Sequence, residues 1–213
     1  MPIPVMTYDS LEADLLSYLE NTNESVQEQV PKIIWNAQVR ISRELRVLGQ
    51  HEAVSNAFVI AKADLIKPAG WRETITFNFG TGPGYRKRNT LLPRSYGFCR
   101  EYWPDPSLTG VPRYYADWTF SQFLIAPTPA EAYPFELIFF RLVDALTHEN
   151  QTNWITEVIP DLLLYACLVE SAPFVKTDER QPMWEKRHMQ NLQVALSEDM
   201  RKVIDASIKR TGA

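Results

Sequence analysis

The chain has 213 residues, of which 45% are hydrophobic and 23% charged, and its net charge is −4 with an isoelectric point near 5.5. These values are typical of a globular protein, so they exclude wholesale disorder, and the length allows one domain or two closely packed ones. The acidic balance excludes a protein that grips nucleic acid over its whole surface, although it leaves room for a local basic patch.

Two further classes of protein are disfavoured by simple patterns. No apolar run reaches the roughly 18 to 20 residues of a membrane span, and the first six residues do not resemble a secretory signal. We therefore expect a soluble protein that is not secreted by an N-terminal signal. Cys99 and Cys167 lie in different kinds of segment, so we expect two buried, reduced thiols and no disulfide.

The first fifty residues predict two helices. Tyr8, Leu11, Leu15 and Leu19 recur at helical spacing after a possible cap at Thr7, which predicts a helix over residues 8–20. A second helix is predicted from Pro31, which suits a first turn, to Gly49. Its apolar stripe consists of Val30, Ile33, Ile34, Ala37, Ile41, Leu45 and Leu48.

The middle of the chain favours short strands. Residues 72–79 alternate polar with apolar, as a half-buried strand does, and a flexible Gly-rich loop at 80–84 follows. Residues 123–126 and 133–141 predict two antiparallel strands joined by the loop 127–132. Further strand-like stretches lie at 91–92, 96–102, 113–120 and 120–126. This spacing indicates a β-sandwich or a strongly bent antiparallel sheet.

The last third is helical, and its central helix is the most apolar of the chain. A short helix capped by Thr152 or Asn153 precedes a helix over residues 160–173, in which Glu170 is the only charge after Asp161. Nearly all of this helix must be covered, either by other helices or by a neighbouring subunit. A final helix begins at Thr177 and runs to about residue 208.

These elements predict an α+β fold. The economical arrangement is a four-helix bundle built from both ends of the chain, with an antiparallel β-module, a sandwich or a bent sheet, inserted between them. We expect the helical bundle domain to comprise residues 1–50 and 151–213, and the inserted β-rich domain residues 51–150.

Nothing in the sequence assembles into a site for catalysis or for a metal. His51, His148 and His188 are scattered, with no HExxH or CxxC spacing. Ser95 and Ser121 have no GxSxG context. The carboxylate pairs, Asp9 with Glu12 and Glu198 with Asp199, lie on helix faces that water would cover in any case. We therefore expect no cofactor, no metal and no enzyme activity.

Two surface features remain as candidates for interaction. The loop 80–89 is Gly-rich and carries Arg86, Lys87 and Arg88, but it lacks the P-loop pattern, so a mobile β-loop is favoured over a phosphate site. Its three cations remain candidates for contact with an acidic protein groove or a DNA backbone. The aromatic residues between 96 and 120 favour core packing and a subunit contact, with a sugar-binding or base-stacking platform as the other interpretation.

Three segments carry a resemblance to a known family. Residues 29–46, QVPKIIWNAQVRISRELR, resemble the IPxFIxLAExRIxRxLR helix of tailed-phage head-to-tail adaptor (connector) proteins. Residues 153–180 are similar to the family's NWL…PDLLLYAxLxEAxPFxKDDER block, and residues 112–129 to its PRYYA…LxxAPxP hairpin. The chain departs from these patterns at Val30, at Trp35 and Asn36, at Thr177 and in the Gly-rich loop.

The resemblance implies a structural virion protein in the neck between head and tail, present in the host cytoplasm during assembly. It implies a homo-oligomeric ring of about twelve subunits, with the portal protein above, a tail or nozzle protein below, and double-stranded DNA passing through without specific binding during ejection. Partner or DNA contacts are then expected at Arg86, Lys87, Arg88, Lys209 and Arg210, and subunit contacts at Tyr114, Tyr115 and Trp118.

A second function of another class is a carbohydrate- or host-receptor-binding module of a phage tail. It would use the aromatic β-region, and an exposed aromatic cluster around residues 114–118 that faces away from any ring contact would favour it.

Overall fold

The chain folds into an α+β structure, as predicted. The structure is a computed structural model that describes residues 5–20, 24–45, 48–175 and 179–211, and the side chains of all of these except 24, 25, 48 and 199–211. Two compact units are present, a helical unit of Met1–Gln50 with Leu142–Ala213 and a β unit of His51–Arg141. Residues 142–150, which we expected in the inserted domain, thus belong to the helical unit.

The helices and strands, in chain order, have the following bounds. The helices are α1 Tyr8–Leu19, α2 Glu24–Gln27, α3 Val30–Glu44, α4 Tyr96–Tyr102, α5 Trp154–Val158, α6 Pro160–Glu170 and α7 Gln181–Thr211. The strands are β1 His51–Ala57, β2 Asp64–Ile66, β3 Trp71–Thr81, β4 Lys87–Thr90, β5 Leu92–Pro93, β6 Thr109–Gly110, β7 Tyr114–Asp117, β8 Gln122–Ala126, β9 Thr128–Pro129 and β10 Pro134–Arg141.

The first helices begin where their local signals predict. The Thr7 hydroxyl accepts a hydrogen bond from the Ser10 amide at 3.2 Å, and the Ser10 hydroxyl accepts one from the Thr7 amide at 2.9 Å, which completes a capping box. Helix α3 carries Pro31 in its first turn. It ends at Glu44 rather than at the predicted Gly49, because Leu45 is extended (φ −103°, ψ 142°).

Helix α6 is the centre of the helical unit, where it contacts α1, α3, α5 and α7. Its buried residues are Leu162, Leu163, Ala166, Cys167, Leu168 and Val169. The chain's own helices therefore cover most of this helix, and only one side, with Leu164 and Tyr165, is half-exposed. It ends at Glu170, three residues before Pro173. The predicted start of the last helix at Thr177 lies outside the described residues.

The β unit is built of two four-stranded sheets and a short parallel pair, β6 with β9. The first has the strand order β1-β10-β3-β4 and is antiparallel throughout, and the second has the order β2-β8-β7-β5, with β5 parallel to β7. Side chains of both sheets form one core, among them Phe77, Phe135 and Phe139 of the first sheet and Tyr115 and Phe123 of the second. The unit is therefore a β-sandwich. Its first and last strands, β1 and β10, are paired from His51↔Phe140 to Ala57↔Pro134. The chain therefore enters and leaves the unit at neighbouring points, as an inserted unit requires.

Two predictions about this unit are wrong. Residues 123–126 and 133–141 do not form a hairpin, because β8 pairs with β7 and β2 while β10 pairs with β1 and β3. Both strands turn apolar residues inward, and these meet across the sandwich core instead of side by side. Residues 96–102 form helix α4 rather than a strand, since the Ser95 hydroxyl caps the helix by accepting from the Phe98 amide at 3.2 Å.

Candidate functional site

The Gly-rich loop of residues 80–89 is the tip of the β3–β4 hairpin. Its register pairs Gly80 with Arg88 and Thr81 with Lys87, and the Asn89 side-chain amide donates to the Thr81 hydroxyl at 2.6 Å. Gly80 is required because a β-carbon there would lie 2.7 Å from the Tyr85 carbonyl oxygen. The basic segment is therefore held in position, which makes its charges a defined surface feature.

The three cations of this tip are exposed but point in different directions. Adjacent positions of a strand face opposite sides of the sheet, so Lys87 and Arg88 cannot act on one side together. Arg88 reaches Glu136 of β10 at 3.4 Å, beside a shallow groove of about 250 Å³. This ion pair cancels charge in the groove, so the tip presents Arg86 and Lys87 as its available cations and does not form an anion pocket.

The three residues predicted at a subunit contact have three different environments. Tyr115 is buried in the sandwich core, with its ring centroid 5.5 Å from those of Phe77 and Phe123, and burial raises the pKa of its hydroxyl. A surface role for Tyr115 is wrong, because it occupies an inward position of β7. Tyr114 points to the opposite face, where it is half-buried, and Trp118 is exposed.

Helix α4 converts the outer face of the second sheet into an aromatic surface. It packs on β7 and β8 through Cys99 and Trp103. The rings of Phe98 and Tyr102 meet Tyr114 edge to face at 5.2 and 5.0 Å. We call this surface, with its exposed rings and adjacent arginines, the aromatic face: Arg94, Tyr96, Phe98, Arg100, Tyr102, Tyr114 and Trp118.

The ring faces of this surface are occupied by guanidinium groups. Arg94 lies 5.6 Å from the centroids of both Phe98 and Tyr114, and Arg100 lies 5.2 Å from Tyr96 and 5.8 Å from Trp118. Tyrosine, tryptophan and arginine are the residues enriched at protein interfaces. Because four of the five rings already have a cation over them, the geometry favours a protein contact over stacking by a sugar or a base.

The histidines and cysteines do not form a nucleophilic site in the described part of the chain. His51 packs edge to face on Phe140. His188 is buried and bonded through Nε2 to Glu44 Oε2 at 2.9 Å, while its Nδ1 has no hydrogen-bond partner. Cys99 and Cys167 are both buried and free, and burial raises the pKa of each thiol, which opposes thiolate formation.

One of the carboxylate pairs lies beside a histidine. His148 Nδ1 lies 2.8 Å from Asp9 Oδ1, and Glu12 is near both, so that one donor atom of each residue falls within 4.8 Å of the others. Hydrogen bonds from Gln151 and then His148 lower the pKa of Asp9. Asp9 and His148 are exposed and paired with each other, and Glu12 is half-exposed, so the pair fastens the 147–151 loop to α1 and does not require an ion.

Several residues that the structure brings into prominence were not distinguished by the sequence. Gln38 of α3 is fully buried, although the helical pattern by itself predicts a polar position at the edge of the apolar stripe. Phe120 is almost completely exposed, although it was expected in a strand. The capping pattern at Ser95 was a local signal that could have identified α4. The side chains of Lys209 and Arg210 lie outside the described part of the chain.

Comparison with known protein families gives a match over nearly the whole chain. The family model described as SU10 adaptor protein matches residues 6–210, which include the whole β unit and nearly all of the helical unit. No curated protein matches the chain. Among the described residues, none of the helices has both the length and the apolar character that crossing a membrane requires.

Proposed function

This chain belongs to the SU10 adaptor protein family, a family of structural bacteriophage proteins found in the virion, and from that premise we propose that it forms the ring joining the portal to the tail. About twelve copies surround the DNA passage beneath the portal, each contacting its neighbours through two different faces, as the heterologous contacts of a closed ring require. The protein has no catalytic role in this proposal.

The match over residues 6–210 is the observation that carries the proposal. It extends over both compact units, so it does not rest on a shared fragment. Two of the three segments with the family resemblance, α3 and α5 to α6, supply much of the buried core of the helical unit. We infer that this core is the rigid body repeated around the ring, while exposed features of each copy supply contacts to partners.

The charge distribution suits a passage for DNA. The β unit contains ten lysine and arginine residues against eight acidic ones, a net charge of +2, which leaves −6 for the helical unit of a chain whose total is −4. An acidic wall repels phosphate groups and lets a duplex slide without being held. In this proposal Arg86 and Lys87 at the hairpin tip, with Lys209 and Arg210 near the C-terminus, contact protein partners or the DNA backbone locally.

The aromatic face supplies a subunit contact in this proposal, through Tyr114 and Trp118. A carbohydrate- or receptor-binding module is the competing function. It is less favoured, because Arg94 and Arg100 already lie over four of the five rings that a sugar would use. Binding of a saccharide that is abolished by Trp118→Ala would reverse this preference.

Negative-stain electron microscopy of the purified protein, alone and mixed with the phage's portal protein, tests the proposal. We expect rings attached to one end of the portal. A protein that stays monomeric and unattached in both samples would refute the adaptor ring. Deleting residues 205–213 should abolish attachment while the far-UV circular dichroism stays helical, because we propose that the C-terminal segment docks on the portal. Attachment that survives this deletion would exclude that segment, although not the ring.

A further inference from the structure

The side chain of Phe120 is almost fully exposed to solvent. It lies in the turn between β7 and β8 and is 99% exposed, whereas the other aromatic residues of the β unit are at least partly covered. The turn is fixed by hydrogen bonds, with the Thr119 amide donating to the Gln122 carbonyl at 3.1 Å and Lys67 Nζ donating to the Thr119 carbonyl at 3.0 Å. Since the turn is already ordered, an incoming partner would lose little additional entropy by binding the ring.

The side chain that holds this turn is itself almost inaccessible. Lys67 is only 5% exposed at its side chain, and its ammonium group lies 2.9 Å from Asp117 and 3.9 Å from the centroid of Trp71. A buried cation that bonds a turn carbonyl and pairs with a carboxylate on the adjoining strand restricts movement of that turn. The exposed position of Phe120 is therefore a built feature of the β unit.

A groove of matching character lies on the helical unit. It has a volume of about 180 Å³ and forms where α5 meets α6 beside α7. Its apolar lining includes Ile159, Leu162 and Ala195, together with Val158 and Val194, which are 59% and 55% exposed. A cavity of about 150 Å³ is enough to bind benzene, so the groove has room for a phenyl side chain.

The charges around the two features are complementary. Asp161 and Glu198 are exposed residues that line the groove. On the β unit, Arg100 lies over Trp118, two residues before Phe120, and neither Arg100 nor Arg94 has an ion pair with a carboxylate among the described residues. The net charges of the two units, +2 and −6, have the same opposition of sign.

We propose that Phe120 of one copy inserts into the α5–α6–α7 groove of the next copy. The Phe120 ring is 99% exposed and is therefore available to a second copy of the chain. A knob on one face that fits a groove on a different face is a heterologous contact, which repeats around an axis until the ring closes. This inference rests on the proposed ring and names the surfaces that build it.

Two complementary variants test the contact. Phe120→Asp removes the knob and leaves the groove intact, whereas Val194→Arg blocks the groove and leaves the knob intact. Both positions are exposed, so neither variant disturbs the core. Val59→Asp on the β unit and Met183→Arg on α7 are matched controls at other exposed apolar positions. Self-association is followed by analytical ultracentrifugation from about 1 to 200 µM, and the count of portal-bound copies by electron microscopy.

We expect Phe120→Asp and Val194→Arg each to abolish self-association alone, with the controls unaffected. Mixed in equal amounts, the two variants should form a complex of one copy of each that grows no further. In the mixture, Phe120 of the Val194→Arg variant can enter the groove of the Phe120→Asp variant, and no further ring or groove is then left to extend the complex. This product is specific to a heterologous contact between these surfaces, because a general loss of folding or solubility would not be rescued by mixing.

The outcomes separate the contact from the adaptor function. Rings of Phe120→Asp on the portal would overturn the contact and leave the adaptor function standing. Rings that remain intact but no longer bind the tail protein would also overturn it, since the knob or groove would then serve a different partner. Wild-type chains that neither associate with each other nor with the portal would overturn both proposals.

Discussion

Gln38 provides the sharpest test of how the helical unit is held together. It is fully buried, and its side-chain amide uses both ends: Nε2 donates to the Asp144 carbonyl at 3.1 Å, and Oε1 accepts from the Leu146 amide at 3.2 Å. These two hydrogen bonds attach residues 144–146, which follow the β unit in the chain, to α3. Gln38→Met keeps the length of the side chain but removes both hydrogen bonds.

The expected loss in the free energy of unfolding of Gln38→Met has a separate contribution from each of the two hydrogen bonds. The Asp144 carbonyl keeps a second donor, the Asn153 side-chain amide at 3.2 Å, so it loses only one net hydrogen bond, about 0.5–1.5 kcal/mol. The buried Leu146 amide is left without a partner, which costs about 1–3 kcal/mol. The thioether is easier to desolvate than the amide, which offsets part of the loss. We therefore expect the free energy of unfolding to fall by about 2–3 kcal/mol.

Urea denaturation followed by circular dichroism measures this change. If wild type and variant have the same dependence of the free energy of unfolding on urea concentration, the shift in the urea midpoint reports the change in stability. Gln190→Met is the matched control, because Gln190 is exposed on α7 and should change stability by less than about 0.5 kcal/mol. A Gln38→Met variant as stable as this control would refute the reasoning, since the Leu146 amide would then have found another partner.

Two further predictions concern side-chain pairs in the helical unit. Glu44→Leu leaves the buried His188 without its carboxylate partner and should lower the free energy of unfolding by about 1–3 kcal/mol. Adding His188→Leu should recover part of this loss, because no polar ring then remains buried. A double variant that is less stable than the sum of the two single variants predicts would contradict this. Hydrogen bonds from Gln151 and His148 lower the pKa of Asp9, so its carboxylate stabilises the fold above the ordinary value of 3.8 and this contribution is lost as pH falls through the lower, folded pKa. Asp9→Asn should therefore be less stable than wild type near pH 6 and equal to it near pH 2 in urea denaturation, and a difference that persists at low pH would exclude this origin.

Helices were predicted well where the signal lies within a few residues. Thr7 and Pro31 fixed the beginnings of α1 and α3, and the spacing of Leu11, Leu15 and Leu19 identified the buried side of α1. The density of apolar residues in α6 was enough to indicate that this helix would be surrounded. The end of α3 was misplaced because Gly49 serves another purpose: a β-carbon there would lie 2.9 Å from the Trp154 ring, a contact between segments distant in the chain.

The interaction surfaces were less predictable, because exposure depends on the partner strand and on which layer covers it. Tyr114 and Tyr115 are neighbours of the same type, yet one is a core residue and the other lies under α4. Phe120 follows an apolar pattern that indicated burial, but it falls in a turn. Neither difference is visible in composition or local spacing.

The sequence by itself determined the α+β class, the capped beginnings of its helices, the central place of α6 and the resemblance to phage adaptors, since each of these rests on periodicity or on residues close together in the chain. The tertiary structure alone decided that β8 and β10 lie in opposite sheets, that Gln38 holds residues 144–146, and that Phe120 stands free while a groove of fitting size lies on the helical unit. Strand partners and buried polar contacts join residues up to 108 positions apart. The free energy that selects them comes from packing that exists only once the chain has folded.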